Sequence, residues 1–272
     1  MIKYIIEKRG ERMRYYVVAD PHGFYDELIS ALTEKGFFSD TGPRKLIICG
    51  DLFDRGEKAM ELQELIISLM ERDEVILIRG NHEDLFVEMI ENLEVYLNYI
   101  KYTHHYQNGT YGTALALSGM SEEDVERYTE RFKNTIYRTP YYSKIIPSMV
   151  NYFETEHYIF VHGWIPCRIV RVGLDERKRF FAMSNWRNAT PKEWRDARWY
   201  NGMDAWKSGA LENKKTIVCG HFHTSWGHST IDGNCSEWGE DADFSPFIHD
   251  GIIALDACTA RTGKINVLVI DD

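Results

Sequence analysis

The sequence predicts an α/β protein built on a parallel sheet with helices on both faces. Short, unbroken apolar runs alternate with stretches of helical spacing between residues 15 and 100. The runs are continuous rather than alternating, as strands covered on both faces must be. The chain is 272 residues long and 44% apolar, and a chain of that size buries roughly 75% of its unfolded surface, enough for a large core.

The elements follow in order. Tyr15–Ala19 (YYVVA) reads as a buried strand, broken by Asp20-Pro21-His22-Gly23. Phe24–Lys35 has helical spacing, with Leu28, Ala31 and Leu32 on one face. Lys45–Cys49 is the second strand, Glu57–Arg72 an amphipathic helix and Glu74–Ile78 the third strand, ended by Arg79-Gly80. A helix is predicted from His82 to Ile100, and 101–149 reads as mostly helical. Tyr158–Val161 and Thr216–Cys219 read as strands, with aromatic, charged helices expected over Asp175–Gly209 between them. Gly251–Leu255 and Ile265–Ile270 read as two antiparallel strands joined by a turn at Thr262-Gly263. No repeat and no Pro/Gly/Ser linker divides the chain, so 1–272 reads as one domain.

Charge narrows the function. With 42 acidic against 32 basic residues, the net charge of −10 argues against a general nucleic-acid binder and against a polybasic membrane anchor. A phosphorylated substrate stays compatible, because bound metal ions can invert the field of one cleft. No run approaches the roughly 18–20 apolar residues that span a bilayer. The N-terminal MIKYIIEKRGERMRYY is charged within eight residues and lacks a signal-peptide core, so a cytoplasmic location is expected. The five cysteines form no Cys-x-x-Cys pair and are expected to be free.

The chemistry sits at the strand ends, where α/β sheets bind ligands. Five loops carry it: Asp20-x-His22; Gly50-Asp51-x-x-Asp54-Arg55-Gly56; Arg79-Gly80-Asn81-His82-Glu83; His162-Gly163; and Gly220-His221-x-His223. Each alone has an ordinary explanation, a helix cap or a turn. Five in series, holding half of the ten histidines, do not. Carboxylates, imidazoles and an amide oxygen suit borderline or hard divalent ions. The spacing of two in Asp20-x-His22 and His221-x-His223 puts each pair on one face of a strand end. A carboxylate such as Asp51 has two oxygens with which to bridge ions roughly 3.5–4 Å apart, the geometry of an in-line phosphoryl displacement.

This set resembles the calcineurin-like metallophosphoesterases. GDLFDRG and LIRGNHE resemble the phosphoprotein phosphatase branch, which includes bacterial and phage-type Ser/Thr phosphatases and diadenosine tetraphosphatases. The closing GIIALDACTARTGKINVLVI is similar to that family's final hairpin, and Asn108–Thr113 to a glycine-rich segment of its bacterial members. The resemblance implies a four-layer α/β/β/α sandwich with a mostly helical insertion at 101–149. It implies one metal on Asp20, His22, Asp51 and His223 and another on Asp51, Asn81, His162 and His221. The ions would be manganese first, with iron, zinc or magnesium as alternatives. It also implies His82 as general acid, Asp54 as the group that orients it and raises its pKa, and Arg55 as a fork on phosphate oxygens. His221-x-His223 follows the wider superfamily rather than the eukaryotic-type branch. For a distal phosphate-binding arginine, Arg187, Arg195 and Arg198 are candidates, and Arg198 is chosen.

The remaining regions are quieter. A loop expected at 224–250 carries Trp226, His228, Trp238 and the acids Glu237, Glu240, Asp241 and Asp243, and would rim the cleft. His104-His105 is expected at the surface, without carboxylate company. The function expected is dimetal-dependent hydrolysis of a phosphoester, with a phosphoserine or phosphothreonine protein favoured as substrate. The alternative enzyme is a dinucleoside tetraphosphate hydrolase, and the alternative class a non-catalytic scaffold on the same fold.

Overall fold

The computed structural model describes residues 12–172 and 177–272. The expectations for the N-terminal residues up to 11 and for Asp175 itself lie outside the described residues. The strands in chain order are β1 (Arg14–Val18), β2 (Arg44–Cys49), β3 (Val75–Ile78), β4 (Phe153–Glu154), β5 (Tyr158–Phe160), β6 (Cys167–Val172), β7 (Arg177–Ala182), β8 (Thr216–Cys219), β9 (Phe247–His249), β10 (Ile252–Ala254) and β11 (Leu268–Asp271). One sheet has the order β11-β1-β2-β3, another β4-β5-β8-β10-β9, and β6 and β7 form a separate hairpin. The pairs β1/β2, β2/β3, β5/β8 and β8/β10 are parallel. The helices α1 (Tyr25–Glu34) and α2 (Ala59–Glu71) make the crossovers of the first sheet, and α3 (Asn81–Glu91) follows β3.

The strands are buried on both faces, and their alternation builds the layers. Tyr16, Val18, Leu46 and Ile48 pack under Leu28, Leu32, Leu62, Ile66 and Phe86 of the helices. Tyr15, Val17, Ala19, Ile47 and Cys49 point the other way and meet Phe160, Val218 and Ile253 of the second sheet. That sheet's far face, with Ile159, Ile217, Ile252 and Ala254, is covered by Trp164, Trp186, Trp194 and Met203. The result is the expected α/β/β/α sandwich. Its middle layer is a side-chain-filled interface between two sheets.

Within 101–149 the chain forms further helices, as expected; the helix Thr110–Ser118 packs on α2 and α3, and Tyr141 meets Phe86 of α3 and donates its backbone N–H to Gln63 of α2. The described cysteines are free. No helix of the described residues is long and apolar enough to cross a membrane.

Three expectations are corrected. The helix predicted from His82 to Ile100 stops at Glu91, where Asn92 leaves helical geometry and its side-chain amide donates back to the Glu88 carbonyl at 2.8 Å. A short α4 (Leu93–Tyr96) and a 3-10 stretch over Leu97–Tyr102 continue from there. The helical expectation for Asp175–Gly209 fails at its start, because β7 pairs with β6. There the period is two: Phe180 is buried and Phe181 exposed. Helices Pro191–Ala197 and Gly202–Lys207 then follow, capped by Thr190 and Asn201. Finally, the two closing strands do not pair. β10 belongs to the second sheet and β11 to the edge of the first. The chain crosses between them through Cys258, at φ 54°, and a single turn at Thr259–Thr262. Two apolar runs carry the same pattern whichever sheet they join, so sequence spacing does not select the partner.

Segment 224–250 is not loop throughout. It holds a short helix at Thr224–Gly227, a π turn at His228–Asp232 and β9.

Candidate metal centre

The loops after β1, β2 and β3 face the loops after β5, β8 and β10 across the crevice between the sheets. Close approach demands small residues there. A side chain on Gly50 would come within 2.5 Å of the His162 ring, and one on Gly220 would overlap the Asp20 carboxylate. Asp20, His22, Asp51, Asp54, Arg55 and His221 all adopt positive φ, between 46° and 78°. Such angles are uncommon outside glycine and cost energy, and they concentrate where side chains must be aimed.

Asp51 stands at the centre, 2% exposed. It forms one tight group with His22 and His82 and a second with His162 and His221. His162 donates from Nδ1 to the Cys49 carbonyl at 2.8 Å. Burial lowers its proton affinity further, so the neutral ring turns a bare Nε2 lone pair toward Asn81 Oδ1, at 2.7 Å, and Asp51 Oδ1, at 3.3 Å. Three acceptors meet with no hydrogen among them. A cation is the group that fits such a set.

The other rings repeat the arrangement. His22 donates from Nδ1 to the Phe53 carbonyl at 3.1 Å, leaving Nε2 3.8 Å from Asp51. His221 bonds the Trp199 backbone, and burial together with His162 takes its pKa down to about 3. Holding one ring nitrogen on a backbone carbonyl is how proteins fix the tautomer and aim of metal-binding imidazoles. Burial, with the neighbouring Asp256 and Asp51, pushes the Asp20 carboxyl well above its usual range.

His82 differs. Its Nδ1 donates to Asp54 Oδ2 at 2.6 Å, and Asp54 also accepts from Thr110 and Thr113, both at 2.8 Å. Burial opposes protonation of His82, yet Asp51 and Asp54 outweigh it and leave its pKa raised. The Arg55 guanidinium lies across the mouth, 3.0 Å from His22 Nε2 and 3.4 Å from His82 Nε2.

Two expected residues face elsewhere. His223 turns Nε2 to Glu237 at 2.8 Å and packs its ring against Trp238. Arg198 is 8% exposed, with Nη1 on Asp84 at 2.6 Å and Nη2 on Asn151 at 2.5 Å. Arg187 is taken by Glu154 and Glu212.

Four contributors escaped the sequence reading. Glu83, fully buried, accepts from the backbone N–H groups of Asp51, Leu52 and Gly80 and so fixes the Asp51 loop. Burial pushes its pKa up to about 7. Its place in Gly-Asn-His-Glu was the available signal. Thr110 and Thr113 sit in the segment resembling a glycine-rich motif, but nothing in their spacing points to Asp54. Asp256 is buried beside Asp20 and opens the crossover to Cys258, whose N–H it accepts at 2.7 Å.

Comparison with known proteins places these features. An asymmetrical bis(5'-nucleosyl)-tetraphosphatase of Bacillus subtilis is 27% identical over 136 residues, 48% of this chain and 52% of that protein. A symmetrical bis(5'-nucleosyl)-tetraphosphatase of Klebsiella pneumoniae is 39% identical over 71 residues, 26% of this chain and 24% of that one. The chain thus spans about half the length, or less, of these curated relatives. A crystal structure of a cold-active protein-tyrosine phosphatase from a psychrophilic Shewanella shares the fold with a TM-score of 0.53 at 18% identity, covering 97% of this chain and 76% of that one. The family model of calcineurin-like phosphoesterases matches residues 13–250, most of the sequence, and to that family this chain belongs.

Proposed function

We propose that the protein hydrolyses phosphoesters at a centre of two divalent ions arranged about Asp51. The observation that carries this is the convergence of His162 Nε2, Asn81 Oδ1 and Asp51 Oδ1 without a hydrogen between them. In this reading Asp51 is shared, Asp20 and His22 serve one ion, and Asn81, His162 and His221 serve the other. His223 is the outermost candidate and would have to leave Glu237. Two such ions would supply Lewis acidity and an activated water.

The chain's own groups do the rest. Arg55 offers two parallel donors to phosphate oxygens. His82 is held by Asp54 with Nε2 toward the cleft, where it can give its proton to the leaving oxygen. Thr110 and Thr113 keep Asp54 in place. Arg198, paired with Asp84, would reach phosphate only by leaving that bond.

The choice of substrate rests on the rim. Trp199 is 50% exposed and edge-on to His221, and Trp238 is 42% exposed against His223, with Arg261 over its ring. Exposed indoles beside His221 and His223 suit nucleobases, since each stacked base contributes about 1–3 kcal/mol. This favours a dinucleoside polyphosphate, in keeping with the names of the relatives, over the phosphoserine or phosphothreonine protein expected from the loop motifs. The test is manganese-dependent turnover of p-nitrophenyl phosphate, a phosphoserine peptide and diadenosine tetraphosphate. Trp199→Ala should raise KM for the dinucleotide alone. Preference for the peptide, unaffected by Trp199→Ala, would overturn the dinucleotide reading. No metal-dependent turnover of any of the three would overturn the hydrolase.

A further inference from the structure

Away from this centre, α3 meets the helical insertion at a second cluster of ligand-type groups. Glu88 lies two turns beyond His82 on α3, and His104 and His105 open the short helix α5 (His104–Gln107). The expectation that these histidines lack a carboxylate is overturned. His105 Nε2 is 2.9 Å from Glu88 Oε2 and His104 Nε2 is 4.0 Å from the same oxygen. One ligand atom from each residue lies within 4.8 Å of the other two. The two imidazole rings are 4.0 Å apart.

The His105 ring is the telling member. Its side chain is fully buried, yet neither ring nitrogen makes a hydrogen bond. Glu88 is close but lies off the line a ring N–H would need. A buried polar group without a partner is costly. The neighbouring groups do not satisfy it. Tyr96 meets the His105 ring edge-on and gives its hydroxyl to Glu88 Oε1. That bond leaves Oε2 as the free carboxylate oxygen, on the side of both imidazoles.

We propose that Glu88, His104 and His105 form a third, mononuclear site for a borderline divalent ion of the zinc class, which ties α3 to the helical insertion. Two imidazole nitrogens and one carboxylate oxygen are a zinc-type donor set. His104 and Glu88 are half exposed, so the ion has an entry path and room for water as a further ligand. The position gives it a role. Four residues past His105, Gly109 packs so tightly on the Arg55 backbone that a side chain there would clash. Thr110 and Thr113 then grip Asp54. An ion at Glu88 would fasten the start of the segment that holds the general-acid pair.

Zinc titration of the full chain, read by bound-metal stoichiometry and by melting temperature, tests the site. The background is Asp51→Asn, which should empty the central pair. That variant should keep one zinc equivalent, and adding His104→Ala should remove it together with the zinc-dependent rise in Tm. Glu88→Gln, which preserves an acceptor for Tyr96, should weaken that equivalent at least tenfold. If Asp51→Asn still binds the central ions, the bridging role of Asp51 fails. The step of one equivalent between each variant and its parent then still reports on the third site. Unchanged stoichiometry and Tm response with both His104→Ala and Glu88→Gln would overturn the proposal.

Discussion

Asp54→Asn isolates the proposed general acid, His82, because Asp54 touches no proposed metal-binding side chain. Three donors converge on its carboxylate, His82 Nδ1 at 2.6 Å and the Thr110 and Thr113 hydroxyls at 2.8 Å. Asparagine is nearly the same size but offers one oxygen and one NH2. Its amide nitrogen must therefore confront a group that now donates. If it faces His82, Nδ1 becomes an acceptor and the imidazolium loses its counter-charge. A hydrogen bond to a charged group contributes about 1.5–3 kcal/mol, and each 1.36 kcal/mol is tenfold in rate, so kcat should fall roughly 10- to 100-fold for a substrate with a poor leaving group. The sign of the pH effect follows. His82 is raised by Asp51 and Asp54 against the pull of burial, so removing the Asp54 charge lowers its pKa. The alkaline limb of kcat/KM for an alkyl phosphate should then move to lower pH. With p-nitrophenyl phosphate, whose leaving group needs no proton, the loss should be small. Bound metal should be unchanged by elemental analysis. Equal losses on both substrates, with the alkaline limb unmoved, would refute the role of the pair.

Other perturbations address the phosphate fork, a surface ion pair and the sheet interface. Arg55→Ala should leave metal content intact, cost about 1.5–3 kcal/mol in kcat/KM and weaken inhibition by inorganic phosphate, with little rescue by Arg55→Lys; unchanged phosphate inhibition would count against the fork. Glu154 accepts from Arg187 and Lys215, and the Arg187 bonds outweigh burial to bring its pKa down to about 2. Its contribution is complete above the ordinary 4.5 and vanishes as pH falls to about 2. Glu154→Gln should thus cost on the order of 1 kcal/mol in urea unfolding at pH 7, after screening of a partly exposed pair, and almost nothing at pH 2. Phe160→Ala, in the layer between the sheets, should cost about 3–5 kcal/mol of stability, measured by the same unfolding assay.

The first sheet was legible because its strands are buried on both faces and each ends in a loop of unusual composition. Asp20, His22, Asp51, Asn81, His82, His162 and His221 could be placed at one crevice for the same reason: each stands just past a strand end. What was hidden depends on tertiary pairing. The apolar runs place Gly251–Leu255 and Ile265–Ile270 in strands, but not in different sheets. The partner of a lone arginine is invisible in sequence, and Arg198 meets Asp84 from 114 residues away. His223 is drawn aside by Glu237, a residue read only as part of an acidic run. His105 reads as polar surface because its burial is created by α3, Tyr96 and its own short helix.

The two sheets also explain why so many polar contacts cross the crevice. The segments after β1, β2 and β3 carry Asp20, Asp51, Asn81 and His82, while those after β5 and β8 carry His162 and His221. In the proposed arrangement the ion on Asn81, His162 and His221 draws its donors from both sheets. The His162 bond to the Cys49 carbonyl, and the bond from the His221 N–H to Asp20 at 2.8 Å, link one sheet to the other. The apolar layer of Val17, Ile47, Phe160 and Val218 sets the separation that makes those bonds possible. Ion binding would add an attraction across the same gap, in proportion to the logarithm of ion concentration over its dissociation constant. Packing between the sheets and affinity for the proposed ions would therefore be linked: loosening the interface would weaken a centre that spans it, and ions held there would in turn draw the sheets together.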